Sequence, residues 1–407
     1  MRRLFVIAIG CLMMAGMIWT GLPLNAAAED IKAGAVINLT GPISTWGQFH
    51  AKGHQDYFRY INEVKGGIAG NKIDLTIVDH AYKVPEALKY VKKFCTSDKM
   101  DMIATWDAGS GIMAKPIIQK YNVPNINYST YQGILKPPVA YAYLPFGSYV
   151  MDCYSILGYI KAIHKGSTPP KVGLLTFNNA YGKSVHGPSQ EYAETHNIHI
   201  VAIEEFPPKS LDLSTELLRL KERGAEYIFM QCTPSAIIMA LQSADRVNFD
   251  VPFFGTWTST DPDFFKRGKG VIRNRMHMEF PGCLPVDQTP GSKLLKELWE
   301  RYRETAGEGP YKFDCSYWEG VVIGSIMARA FQKAHDKLGK IDSESVNMAL
   351  ETFQNEDFGG LIPNVTYTNT DHGGSFTARI VKINENQTFE PLTKFWNPEK
   401  ENVPLLK

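Results

Sequence analysis

The sequence predicts an α/β protein made of two Rossmann-like lobes, each built on a parallel sheet. Two observations carry that prediction. From Ile31 to Phe254, short apolar runs alternate with amphipathic segments across brief polar or glycine-containing breaks, the pattern of βαβ units. The alternation also comes as two tandem series, the second beginning near Phe146-Gly147-Ser148, and a chain of 407 residues is long enough to fill two cores.

Ile31 to Ile37 is the first strand, and it runs into Asn38-Leu39-Thr40-Gly41-Pro42-Ile43-Ser44-Thr45-Trp46-Gly47. A loop leaving the carboxyl end of a parallel strand is where open α/β sheets bind ligands, because helix N-termini point their free N–H groups there. Trp46 is therefore read as a wall of a ligand site, with Ser44, Thr45 and Gly47 small enough to let a ligand approach. Gly47 to Lys65 reads as a helix with Phe49, Tyr57, Tyr60, Ile61 and Val64 on its apolar face. A strand over Lys72 to Val78, a helix over Pro85 to Phe94, a strand over Met100 to Trp106, a helix over Ser110 to Lys120 and a strand over Val123 to Tyr128 complete the first series.

In the second series, Tyr149 to His164 is a helix, and the strand Lys171 to Phe177 enters a loop at Asn178-Asn179-Ala180-Tyr181-Gly182. Helix, strand and helix continue to Arg223. Strands over Tyr227 to Met230 and Val251 to Phe254 then flank a helix over Ser235 to Arg246. Beyond Ser292 the chain is helical: Leu294, Leu295, Leu298, Trp299 and Tyr302 mark one face, and Tyr317 to His335 is a long apolar helix. The tail from Phe376 to Asn384 alternates like a strand.

At the amino terminus, Arg2-Arg3, an apolar run from Leu4 to about Trp19 and Ala26-Ala27-Ala28 form a secretory signal peptide over residues 1–28, cleaved before Glu29. Its apolar run is shorter than the ~20 residues a membrane anchor needs. Cys11 only loosely fits a lipidation box, because the apolar run continues past it. The leader removes Arg2 and Arg3 and no acid, so 41 basic residues face 42 acidic ones. That balance argues against nucleic-acid or polybasic membrane partners. Cys95, Cys153, Cys232, Cys283 and Cys315 remain, far apart and without a Cys-x-x-Cys, so they read as buried small apolar residues rather than a zinc or redox centre.

Three motifs suggest chemistry and fail on context. Gly109-Ser110-Gly111-Ile112-Met113-Ala114 fits a dinucleotide fingerprint, but the next strand ends at Asn127-Tyr128-Ser129 with no acid for a ribose hydroxyl. Read instead as a helix start with a hydroxyl, it is an anion cradle. His50 and His54 share a helix face but lack the intervening Glu of a metalloprotease, so they read as solvated histidines. Gly182-Lys183-Ser184-Val185-His186 lacks the second glycine of a nucleophile elbow.

Leu39 to Gly47, followed by Tyr60-Ile61-Asn62-Glu63-Val64-Lys65-Gly66-Gly67-Ile68-Ala69-Gly70 and Ile73-Asp74-Leu75-Thr76-Ile77-Val78-Asp79, resembles the start of periplasmic substrate-binding proteins of the branched-chain amino acid (Leu/Ile/Val-binding) type. The resemblance implies the type I periplasmic binding fold, its lobes joined by a three-crossing hinge with candidates near residues 146, 280 and 362. Lobe 1 would comprise residues 29–146 and 281–362, and lobe 2 residues 147–280 and 363–407. It also implies a periplasmic monomer, without cofactor or metal, that hands a small apolar amino acid to an ABC transporter permease. The alternatives are a carboxylate lacking the amino group, or a ligand-sensing receptor component.

Carried over to this sequence, the resemblance places ligand contacts at Trp106 with Ala108, Gly109 and Ser110, and at Ser129-Thr130-Tyr131. From the second lobe come Tyr181, Thr233 and Trp257, with Tyr311 a weaker candidate. Trp46, Trp106, Tyr181 and Trp257 all fall at predicted strand exits, where their rings would bury an apolar side chain. Two departures stand out. Tyr82 occupies a position where the family often carries a disulfide cysteine. Phe254-Gly255-Thr256-Trp257-Thr258 lacks the acid that commonly pairs the ligand's ammonium, leaving Asp107 or Asp261 to replace it.

Overall fold

The computed structural model describes residues 30–406 apart from 42 and 387; the expected leader and Cys11 lie outside the described residues. The first half forms β1 (Ile31–Ile37), α1 (Ser44–Val64), β2 (Ile73–Asp79), α2 (Val84–Lys93), β3 (Met102–Thr105), α3 (Ala108–Tyr121), β4 (Asn125–Asn127) and β5 (Ala142–Tyr143). Its five strands lie in the order β2-β1-β3-β4-β5, every pair parallel.

The second series gives α4 (Tyr149–Ile163), β6 (Lys171–Phe177), α5 (Ala180–Lys183), α6 (His186–His196), β7 (His199–Phe206), α7 (Ser214–Glu222), β8 (Tyr227–Gln231), α8 (Pro234–Arg246), β9 (Phe253–Gly255), α9 (Phe264–Arg267) and β10 (Met276–Phe280). After α10 (Pro290–Trp299), α11 (Cys315–Leu338) and α12 (Ser343–Leu350), the tail supplies β11 (Arg379–Ile383) and β12 (Phe389–Pro391). These seven strands order as β12-β11-β10-β9-β8-β6-β7, parallel from β7 to β10 and antiparallel through β11 and β12. The predicted fold class, two parallel α/β layers built in sequence order, is the one observed.

The principal helix pair is α1 against α11. The apolar face read for α1 is only partly buried, and Val64 is exposed. The fully buried face instead carries Trp46, His50, Gly53, His54, Asp56 and Phe58. Two glycines explain why: a Cβ on Gly53 would stand 2.2 Å from the Tyr317 carbonyl oxygen, and one on Gly320 would stand 2.1 Å from that of His50. The two backbones therefore nearly touch, and the residues flanking those glycines are buried whatever their polarity. Asp56, enclosed there, accepts two 2.7 Å bonds from Arg303 and one of 2.9 Å from the Tyr317 hydroxyl, the pairing a buried carboxylate requires.

The reading of His50 and His54 as solvated is corrected by this crossing. Both are fully buried; the His50 ring lies 3.9 Å from that of Tyr128, and His54 Nδ1 is 3.3 Å from the Tyr128 hydroxyl. Burial holds both imidazoles well below their ordinary pKa, so they are neutral. The small size of Gly47 also has another purpose, since a Cβ there would meet the Asn38 carbonyl oxygen at 2.1 Å. It lets α1 start against β1 and does not open a path for ligand.

Candidate functional site

A cavity of about 180 Å³ lies between the two sheets. A cavity of roughly 150 Å³ suffices for a benzene ring, so this one suits a compact molecule of similar or slightly larger size. Nearly every lining residue follows the carboxyl end of a parallel strand. Ile43, Thr45 and Trp46 follow β1, Tyr82 follows β2, Trp106 to Ala108 follow β3, and Tyr128 and Ser129 follow β4. Tyr149 follows β5, Tyr181 follows β6, Thr233 to Ser235 follow β8, and Trp257, Thr258, Asp261, Asp263 and Arg267 follow β9. Glu319 is the exception, reaching the cavity from within α11.

Aromatic rings form the walls. Trp46 sits in the first turn of α1, and its ring centroid is 6.0 Å from that of Trp257. Trp257 also packs edge-on to Phe146 at 5.1 Å. Tyr181 meets Tyr149 at 5.3 Å, and its hydroxyl lies 2.6 Å from Thr258 Oγ1. Ala81 and Tyr82 both adopt left-handed backbone, with φ of 49° and 58°, a conformation that bulky residues rarely hold without support from their surroundings. That turn places Tyr82 on the cavity wall.

Of the residues expected from sequence, the cavity collects Trp46, Trp106, Ala108, Ser129, Tyr181, Thr233 and Trp257. Gly109, Ser110, Thr130 and Tyr131 do not line it. Thr130 is buried behind the wall, its carbonyl accepting the Tyr149 N–H at 3.0 Å, while Tyr131 turns onto the apolar cluster that includes Ile134. Tyr311 packs on Trp299 at 6.3 Å, outside the cavity. Sequence reasoning missed Tyr82, Tyr128 and Tyr149 as walls, although Tyr82 and Tyr128 stand just beyond strands and Tyr149 opens α4.

The anion cradle at the start of α3 is also corrected. Ser110 donates its backbone N–H to Asp107 Oδ1 at 2.9 Å and its hydroxyl to Asp107 Oδ2 at 2.5 Å. The helix is capped by a carboxylate of its own chain, in the ordinary N-cap geometry. A ligand carboxylate at that spot would meet a like charge. Asp261, the other acid expected to serve a ligand, is held bidentately by Arg267 at 2.6 and 2.5 Å. Arg267 is the one cationic side chain among the described lining residues.

Glu319 is 1 % exposed. Its Oε2 accepts the Trp46 indole N–H at 3.1 Å and lies 3.0 Å from His50 Nδ1, while Oε1 has no hydrogen-bond partner. Burial pushes its carboxyl pKa well above the usual range. The sequence carries one signal of it: a lone acid inside the apolar stretch Tyr317 to Phe331. The cysteines Cys95, Cys153, Cys232, Cys283 and Cys315 are buried and unpaired.

Two α/β layers that share one aromatic cavity at the carboxyl ends of their strands define a two-part ligand-binding protein. The chain belongs to the periplasmic binding protein family, whose model matches residues 30–388. It is 23% identical over 339 residues to Leu/Ile/Val-binding protein homolog 7 of Brucella suis biovar 1 (strain 1330), covering 80% of this chain and 81% of that one. Its fold matches a branched-chain amino acid ABC transporter protein of Thermus thermophilus, solved with bound valine, at a TM-score of 0.82 and 21% identity over 91% of this chain and 97% of that one. A fatty acid ABC transporter substrate-binding protein of Thermomonospora curvata matches at 0.82 and 18% identity, over 93% and 95%.

Proposed function

We propose that this protein is an extracytoplasmic solute-binding component of an ABC importer, binding a small apolar amino acid between two lobes. The observation that carries this reading is the cavity itself: apolar rings from both sheets, a size suited to one amino acid, and acidic groups on its walls. The names of its relatives, Leu/Ile/Val-binding among them, point the same way. On this reading lobe 1 is residues 29–146 with 281–362, and lobe 2 is residues 147–280 with 363–407. The separate sheets and the packing of α1 on α11 support that division.

Ligand docks on one lobe and closure of the other excludes water, which strengthens every polar contact inside. Thr233 caps α8 without a side-chain hydrogen bond of its own, and Thr233, Pro234 and Ser235 all line the cavity. That helix start, rather than α3, receives the ligand's carboxylate. Trp46, Trp106, Tyr181 and Trp257 enclose the side chain. No bond is made or broken. The protein works as a monomer in the periplasm, reached through its leader, and delivers its cargo to a permease.

A deaminated carboxylate is the competing ligand, suggested by the fatty acid relative. The lining disfavours it, since Asp107, Asp261, Asp263 and Glu319 face one already paired arginine. A thermal-shift series decides between them. Leucine, valine, isoleucine and phenylalanine should raise Tm where their deaminated analogues do not; stabilisation by the analogues alone would reject the amino-acid reading.

A further inference from the structure

We infer that Glu319 is the partner of the ligand's ammonium group, taking the place of the acid missing beside Trp257, so that an organic amine is what this cavity selects. The inference rests on the solute-binding reading above and adds to it the residue that sets its specificity.

Three observations converge on Glu319. First, the other lobe 1 acid at the cavity, Asp107, is committed to the start of α3 through both Ser110 donors. Second, Asp261 is neutralised by Arg267, which also reaches Ser235 Oγ at 2.8 Å, and Asp263 is exposed to solvent. Third, Glu319 is almost fully buried on the cavity wall with Oε1 unpartnered, while Oε2 is fixed by Trp46 and His50. A buried oxygen without a partner is costly, and the ring of residues around it supplies no donor to complete it. A ligand N–H does.

The surroundings favour a cation there. Trp46, whose indole N–H holds Glu319, presents its ring beside Trp257, and aromatic faces attract ammonium groups. The titratable groups around the carboxyl are His50 on α1, Tyr128 beyond β4, Tyr149 on α4 and Cys315 on α11 itself. Burial keeps all four neutral near pH 7, so none of them competes for the charge. Burial favours the protonated Glu319 carboxyl whereas an ammonium favours the carboxylate, so binding shifts the group toward release of its proton, and burial keeps His50 from taking that proton up.

The test is calorimetry at pH 7 in two buffers of different ionisation enthalpy, using L-leucine and L-phenylalanine against 4-methylpentanoate and 3-phenylpropanoate. The wild-type protein should bind the amino acids with net release of protons. Glu319→Gln, which preserves shape but cannot ionise, should bind them about tenfold to a hundredfold more weakly and release none. Equal affinity in the two proteins, or no proton release from wild type, would overturn the role of Glu319 and leave the amino-acid reading standing. Binding of the deaminated acids in place of the amino acids would overturn the amino-acid reading and this inference with it. The wild-type proton count decides the question even where the variant folds poorly.

Discussion

Gln132 donates its side-chain N–H to the Ser184 carbonyl oxygen at 2.7 Å, and the bond joins the two halves of the molecule beside the cavity. Gln132 opens a short 3-10 turn after β4, while Ser184 ends α5 after β6. In this arrangement of the two halves the bond acts as a latch between them. Gln132→Ala should weaken ligand binding about twofold to tenfold, the value of one hydrogen bond, with little change in the Tm of the ligand-free protein. Titration calorimetry on the two proteins checks this, and unchanged affinity would remove the latch.

Tyr181 offers a ring to the cavity but has already committed its hydroxyl to Thr258 Oγ1 and, at 3.4 Å, to the Cys232 carbonyl. Tyr181→Phe should bind within about threefold of wild type. Tyr181→Ala removes an aromatic side chain worth about 1.5–3 kcal/mol of apolar burial and should lose about tenfold or more. Equal losses in the two variants would show that the hydroxyl touches the ligand.

At the crossing of α1 and α11, Gly320→Ala places a methyl group against the His50 carbonyl oxygen and the His54 backbone nitrogen. Neither backbone atom can step aside without moving its helix, so the substitution should destabilise by about 1–3 kcal/mol or more. Urea denaturation measures it. Because Glu319 is the preceding residue, ligand affinity should fall as well.

Asp152 on α4 and Glu279 near the end of β10 form a buried acidic pair, and Glu279 accepts a hydrogen bond from the Trp257 backbone. Burial pushes both carboxyls up, Glu279 to about 8, and the charge of Glu279 raises Asp152 further. In the unfolded chain both ionise near pH 4. The folded state thus binds more protons between about pH 4 and 8, and its stability falls as pH rises through that window. His277, lowered to about 4 by burial, acts with the opposite sign and only below its ordinary pKa near 6.5. Between pH 6.5 and 8 the ligand-free Tm should therefore decline, and Glu279→Gln should flatten the decline. A Tm that rises across that interval would contradict the assignment.

Much of the fold follows from local pattern. A run such as Ile31 to Ile37 or Lys171 to Phe177 must bury both faces, so it becomes a central parallel strand wherever it occurs. The residue after it then stands at the rim where a ligand enters. For that reason Trp46, Trp106, Tyr181, Thr233 and Trp257 could be placed at the cavity without knowing any contact between distant parts of the chain, while Ser129 was placed there by the family resemblance.

Other features depended on partners far away in sequence. Asp107 and Ser110 are three residues apart, yet only the folded start of α3 shows that one satisfies the other and closes the expected anion site. His50 and His54 look like surface residues by helical period; a backbone crossing permitted by Gly53 and Gly320 buries them. Glu319 reads as a flaw in an apolar helix until Trp46, 273 residues earlier, is found donating to it. Sequence by itself determined which residues leave the strands, because hydrophobic periodicity is a property of each segment alone. Which polar groups are buried, paired or left open to a ligand was decided by tertiary structure, because burial is a property of two surfaces meeting.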